Sequence, residues 1–195
     1  MSLMDRKNLI RGAFIVLTDL APVGIFVAAF HLARARAPDA AIFIAAAAYA
    51  AATIAAIGWA IFRGRKPPPL HFVAAAMVVL FTGLAIAFND EAFIKVKPTI
   101  DYLAYAAGVF GSMAFGVNVW KVLFGHAFTL PDRIWRLLAM RWGFFFLFMA
   151  VVNELIRQTQ TTEFWVNARL LIAFPLVLTF MLINLPVTLK NISRE

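Results

Sequence analysis

Six long apolar runs alternate with short polar or basic segments along the chain. They cover residues 13–33, 40–62, 70–88, 99–123, 137–156 and 165–189. An α-helix rises about 1.5 Å per residue, so each run is long enough to cross a hydrocarbon core about 30 Å thick. The pattern predicts an all-α polytopic membrane helix bundle with six transmembrane helices, in one integral membrane domain over residues 1–195.

Several local signals refine these helices. Residues 125–141 are amphipathic and predict an interfacial helix that starts near Thr129, with Asp132 three residues later, and runs directly into the fifth span. A short polar loop, 157–163, should follow. Pro175 lies near the middle of the sixth run and predicts a kink.

Small residues recur every four positions in the fourth run, at Ala104, Gly108, Ser112 and Gly116. Such a stripe lets a second helix approach closely. It predicts static helix packing, with a gating seam as the functional alternative.

The first apolar run has two interpretations. Basic residues precede it, and residues 35–37 have the small-residue spacing of a signal-peptide cleavage site. Asp19 and Pro22 interrupt the run, where signal peptides are most uniformly apolar. We therefore expect an uncleaved helix.

The composition agrees with a membrane protein. The 195 residues are 63% hydrophobic, whereas soluble domains are about half apolar. The net charge of +8 resides mainly in short loops between apolar runs and not on a basic face, so nucleic-acid binding is not expected. The absence of cysteine excludes disulfides, thiolate metal sites and cysteine nucleophiles.

The basic residues also predict an orientation. With six spans, twelve lysines and arginines fall on the side of the termini and six on the other side. The positive-inside rule then places both termini in the cytoplasm. Without the first span the division becomes nine against nine, so the charges favour six spans over five. The tryptophans agree with the helix ends: Trp59, Trp120, Trp135 and Trp142 at the inner interface and Trp165 at the outer one.

Residues 89–100 form the most distinctive polar string, and they fall on the outer side. Asp90 and Glu91 are expected to neutralise Lys95 and Lys97, and Pro98 fits the first turn of the fourth helix. This string is the candidate contact surface, and its candidate residues are Asp90, Glu91, Phe93, Lys95, Lys97 and Pro98.

Two further places are candidates for intramembrane chemistry. Asp19 and Pro22 would form an ion or proton site, or Asp19 would pair with Arg11 as a structural element. Asn153 and Glu154 form the second place, where Glu154 would act in a site, reach water or pair with Arg157 three residues on.

Other polar residues predict no chemistry. Arg141 and Arg169 lie a turn inside opposite interfaces and are expected to snorkel. His31, His71 and His126 lie far apart without helical ligand spacing, so we expect no metal site and no cofactor. The sequence contains no signature motif of a membrane enzyme, so we expect no enzymatic activity. It also contains no obvious inverted repeat, which weakens the hypothesis of a transporter.

Several strings resemble the bacterial intracellular septation protein A family, also called YciB or IspZ. They are Asp19–Pro22, Gly83-Leu84, Asn89–Ile100, Arg141-Trp142, Phe145-Phe146, Asn153-Glu154 and Phe164–Asn167, in the same order and spacing over roughly residues 14–187. The resemblance implies an inner-membrane protein of proteobacteria, associated with envelope integrity, septation and the division and elongation machinery. It implies no catalytic residue and no cofactor. The chain departs from the family in a longer N-terminus, in Ala85 where threonine is common, and in favouring six spans where five are often described.

The leading hypothesis is a non-enzymatic inner-membrane protein that supports envelope biogenesis and septation through protein contacts. Its expected partners are the lipid bilayer and other envelope, elongation or division proteins. A homo-oligomer is also possible, and nucleic acid is not an expected partner. The alternative is a small transporter or lipid-handling protein that uses Asp19 and Glu154.

Overall fold

The computed structural model describes residues 21–64, 69–125 and 129–191, and all regular structure within these ranges is helical. The all-α prediction is therefore confirmed. The main helices are α1 (Ala21–Arg34), α2 (Ala41–Phe62), α3 (Pro69–Phe88), α4 (Ala92–Ala114), α5 (Val119–Phe124), α6 (Asp132–Thr159), α7 (Thr162–Ala168) and α8 (Phe174–Asn191). A short 3-10 turn, Pro38–Ala40, precedes α2, and a π-helical turn, Arg169–Ala173, joins α7 to α8.

Three helical stretches of the described residues are long and apolar enough to cross a membrane. They are Pro38–Phe62, Asp132–Thr159 and Thr162–Asn191. Shorter apolar helices occupy Ala21–Arg34 and Phe72–Phe88. These stretches match five of the six predicted spans, although the first twenty residues lie outside the described ranges. The chain divides into one compact unit up to Lys97 and a second from Pro98, and the single domain over 1–195 stays a prediction.

In the first unit, α2 packs against α3, as its alanine content suggests. Ala41, Ala45 and Ala46 are almost completely buried, because side chains this small let neighbouring backbones approach closely. The ring of Phe26 in α1 meets Tyr49 of α2 edge to face, with centroids 6.1 Å apart. The α2 helix stops at Phe62, where the sequence predicts an end.

In the second unit, α6 is one continuous helix of 28 residues. This confirms that the amphipathic segment runs directly into the fifth span. Phe145 of α6 stacks on Phe180 of α8 at 4.1 Å between ring centroids, and Trp142 meets Trp120 at 5.2 Å. At Gly143 of α6, an added Cβ would lie 2.6 Å from the ring of Phe110 in α4.

The fourth predicted span differs most from the structure. The α4 helix begins at Ala92, so most of residues 89–100 is helical and Pro98 lies inside the helix, not in its first turn. The helix ends at Ala114, before Gly116, whose φ of +75° is a left-handed conformation that favours glycine. Gly116 therefore does not continue the small-residue stripe.

Two predicted boundaries around α6 are also wrong. Its N-cap is Pro131, without a side-chain cap, so Thr129 does not start the helix. The expected loop 157–163 shortens to a turn, because α6 continues to Thr159 and α7 begins at Thr162. The hydroxyl of Thr161 accepts a hydrogen bond from the Phe164 amide and caps α7.

The helix of the sixth span is irregular next to Pro175, and the predicted kink at this proline stays a prediction. A π-helical turn, Arg169–Ala173, ends just before this proline. Proline has no N–H to donate to the residue four positions earlier, so the regular ladder is interrupted there.

Candidate functional site

A cluster of polar side chains joins α4, α6 and α7 in the second unit. We call it the Glu154 cluster, and its members are Thr99, Asn153, Glu154, Arg157, Gln158 and Trp165. Glu154, Arg157 and Gln158 share one face of α6, because residues three and four apart are neighbours on a helix. The cluster contains both residues of the predicted Asn153-Glu154 site.

Asn153 is the link between the three helices. Its Nδ2 donates to Thr99 Oγ1 on α4 at 2.8 Å. Its Oδ1 accepts from the indole Nε1 of Trp165 on α7 at 3.1 Å. A single carboxamide thus connects two helices to α6, using both its donor and its acceptor.

Glu154 pairs with Arg157, so the predicted pair three residues apart is confirmed. Arg157 Nε donates to Glu154 Oε2 at 3.0 Å, and Gln158 Nε2 donates to Oε1 at 2.5 Å. Thr99 Oγ1 donates a longer bond, 3.4 Å, to Oε2. Both carboxylate oxygens therefore accept hydrogen bonds from protein side chains. One of the donors is the guanidinium of Arg157, which stays protonated. Of these partners only Thr99 lies on another helix, so Asn153 makes most of the links between helices in this cluster.

Arg169 continues this end of the second unit. Its guanidinium carbon lies 4.5 Å from the ring centre of Trp165, a cation–π contact. Trp165 itself is only 2% exposed, as is Trp135. Both indoles are therefore packed against protein, and Arg169 contacts one of them. Burial of this kind depends on which helix faces the residue, and no sequence signal indicated it.

The side chain of Arg141 is also used inside the protein. Its Nη1 donates to Asn184 Oδ1 on α8 at 3.2 Å. Asn184 is 4% exposed, and its Nδ2 donates to the Phe180 carbonyl at 2.8 Å. A buried carboxamide is thus within reach of Arg141, and the expectation that Arg141 snorkels stays a prediction. Sequence reasoning missed Asn184, although a lone asparagine in an apolar run is a usable signal.

The start of α4 brings together several predicted contact residues. Asp90 Oδ1 accepts from the Ala92 amide at 2.8 Å, after Asn89 takes a left-handed φ of 51°. Glu91 forms an ion pair with Lys95, one helical turn later, which confirms the expected neutralisation of Lys95. Lys95 is only 7% exposed, which a short outer loop did not predict.

The remaining candidates near this turn are less exposed than expected. Phe93 stacks on Phe88 with ring centroids 5.7 Å apart and is half-buried, and Lys97 is half-buried as well. Asn89 and Asp90 are the exposed residues of the turn. A contact surface here would therefore be the turn itself and not the whole string.

The other candidates are spread out. Asp19 lies outside the described residues, and Pro22 is half-buried in α1. His31 is exposed and meets the ring of Phe30 at 5.4 Å. Within the described ranges no three histidine, aspartate or glutamate side chains come together in a way that could hold a metal ion.

The chain matches the family model for intracellular septation protein A over residues 15–195. It is 37% identical to the inner membrane-spanning protein YciB of Nitrobacter hamburgensis over 188 residues, which cover 95% of this chain and 89% of that protein. It is 37% identical to the protein of the same name from Cupriavidus necator, over 85% of this chain and 89% of the relative. No solved structure matches the chain.

Proposed function

Because the chain belongs to the intracellular septation protein A family, we propose that it supports envelope integrity and septation through protein contacts in the inner membrane. The proposed role is non-enzymatic, with envelope, elongation or division proteins as partners. We also propose cytoplasmic termini, which the distribution of basic residues supports. The family match and the apolar helices support the membrane location.

The observation that supports protein contacts is the small-residue face of α4. Ala104 and Gly108 are exposed, and a Cβ added at Gly108 would meet no atom within 4 Å. Ala106 and Val109 of the same helix are buried within the chain. One face of α4 thus packs internally, and its small-residue face is open to a helix of another protein or of a second copy.

A pair of cross-linker positions tests this proposal. A photo-reactive amino acid at Ala104 should capture a defined inner-membrane protein in living cells, identified by mass spectrometry. The same amino acid at buried Ala106 is the matched control and should not capture it. Capture of lipid alone from Ala104, or the same products from both positions, would contradict the proposal.

Complementation tests whether the face matters for function. In cells that lack the native protein, Gly108→Leu should fail to restore envelope integrity at a normal protein level, because a large side chain blocks close helix approach. Ala76→Leu, at an exposed position of α3, should restore it. Equal rescue by both variants argues against a helix-contact role for this face.

Transport or lipid handling is the alternative of another class. The ion pair and hydrogen bonds of Glu154 support a structural role for that residue, so the alternative now depends on Asp19. Asp19→Asn should restore function if the contact role is correct. Loss of function with intact insertion and normal protein level would favour transport instead.

A further inference from the structure

The exposed face of α6 is positively charged in its first two turns and apolar from there on. Arg133 and Arg136 are exposed in its first two turns. The exposed positions that follow on this face are all apolar, and they are Leu137, Met140, Phe144, Phe148, Val151 and Leu155. The spacing of three and four residues keeps them on one side of the helix.

The length of this apolar face matches a bilayer. From residue 137 to residue 155 it extends about 27 Å at 1.5 Å per residue, close to the hydrocarbon thickness of about 30 Å. Exposed Gln158 follows at its other end. Arg133 and Arg136 therefore lie just beyond the hydrocarbon layer, at the depth of the lipid phosphates.

Both arginines are exposed, and Arg136 is also attracted by the carboxylate of Asp132. The nearest acid along the chain is Asp132, and its Oδ1 accepts a hydrogen bond from Lys121 Nζ at 2.6 Å. This pair ties α5 to the start of α6 and offsets the negative charge of Asp132.

The neighbouring α5 helix adds an apolar surface beside this charge. Its residues Val122, Leu123 and Phe124 are 68%, 49% and 39% exposed. Apolar side chains on a short helix next to exposed cations are typical of a segment that lies in the membrane interface. Acyl chains and a charged headgroup would thus meet matching surfaces at the same end of α6.

We propose that Arg133 and Arg136 bind the phosphate of an anionic phospholipid at the α5–α6 junction. Guanidinium groups match phosphate oxygens in charge and in bidentate geometry. The occupant is a lipid and not a soluble anion, because the cationic end continues without interruption into the apolar face of α6. The proposal depends on α6 crossing the membrane and is independent of the envelope role.

Native mass spectrometry of the purified full chain in detergent tests this proposal. The chain is titrated with phosphatidylglycerol and, separately, with phosphatidylcholine, and it should bind the anionic lipid more tightly. A juxtamembrane arginine is worth about fivefold in affinity for anionic lipid, so R133Q/R136Q should lower phosphatidylglycerol affinity roughly 25-fold. Its affinity for phosphatidylcholine should not change.

Two further variants separate a site from general effects. R36Q/K190Q removes two other exposed positive charges and should leave the lipid preference intact. R133K/R136K keeps the charge and should keep a preference for phosphatidylglycerol, weaker than that of the unmodified chain. Equal binding of both lipids by the unmodified chain would overturn the proposal, as would an equal loss in R36Q/K190Q. An equal loss toward both lipids in R133Q/R136Q would also overturn it, because binding would then not depend on the charge of the headgroup.

Discussion

Replacing Gly143 with alanine should destabilise the second unit, although the same change usually stabilises a helix. A Cβ at this position would lie 2.6 Å from Phe110 Cζ and 2.9 Å from the two neighbouring ring atoms. Comfortable carbon–carbon contacts are about 3.5–4.0 Å, so the ring must move by about an ångström. Phe110 is half-buried and its ring meets Phe144 at 5.2 Å, which restricts that movement.

The size of the effect follows from two opposing contributions. Alanine in place of glycine inside a helix is worth up to about 1 kcal/mol in favour of folding. Overpacking a well-filled contact costs about 1–3 kcal/mol. Gly108→Ala has only the first contribution, since nothing lies within 4 Å of its added Cβ. The free energy of unfolding of Gly143→Ala should therefore be about 1–3 kcal/mol below that of Gly108→Ala.

Unfolding in mixed micelles, by titration with a denaturing detergent and followed by circular dichroism, measures this difference. A second substitution tests the cause. In a Phe110→Leu background the added methyl group has more room, so Gly143→Ala should cost less there than in the unmodified chain. Equal stability of the Gly143→Ala and Gly108→Ala variants would refute the close approach of α4 and α6. So would the same cost of Gly143→Ala in both backgrounds.

Three other predictions follow from the polar contacts and the charges. Trp165→Phe removes the donor to Asn153 and should lower the free energy of unfolding by about 1 kcal/mol, measured by the same titration. Asn184→Ala removes the buried acceptor of the Arg141 guanidinium and should cost about 1.5–3 kcal/mol, in line with hydrogen bonds to charged groups. A reporter fused after Glu195 that is active only in the cytoplasm should be active, as the proposed orientation requires.

Matched controls exist for these variants. Trp59→Phe changes an indole that is 53% exposed and should leave stability nearly unchanged. Asn191→Ala removes a side chain whose Nδ2 bonds the Val187 carbonyl of its own helix, and it should cost less than Asn184→Ala. Similar losses in a variant and its control would mean that the contact between helices adds nothing. An inactive cytoplasmic reporter, together with activity of a reporter that works only outside the cytoplasm fused at the same residue, would contradict the proposed position of the C-terminus.

Local features of the chain were predictable where they depend on near neighbours in sequence. The bounds of α2 and α3 follow from hydropathy, which each residue contributes by itself. The Glu154–Arg157 and Glu91–Lys95 pairs follow from helical spacing of three and four residues.

The start of α4 shows where local reasoning went wrong. A proline at position 98 and four charged residues before it suggested a loop that ends in a new helix. The structure instead starts the helix at Ala92, whose amide is bonded by Asp90. Glu91 and Lys95 then pair along the helix, which removes the reason for a loop. Pro98 is tolerated inside α4 at the loss of one backbone hydrogen bond.

By itself, the sequence determined an all-helical membrane protein, the positions of most helices and the family resemblance, because hydropathy and short-range spacing are properties of the local chain. Only the tertiary structure decided that Asn153 would join Thr99 to Trp165, and that Gly143 would receive the ring of Phe110. Asn153 and Thr99 are 54 residues apart, and they come into contact only when α4 and α6 pack with these faces together. Which faces are buried depends on packing and hydrogen bonding between helices, and no single stretch of sequence contains that information. It also placed Glu154, a candidate for intramembrane chemistry, beside the asparagine that links three helices.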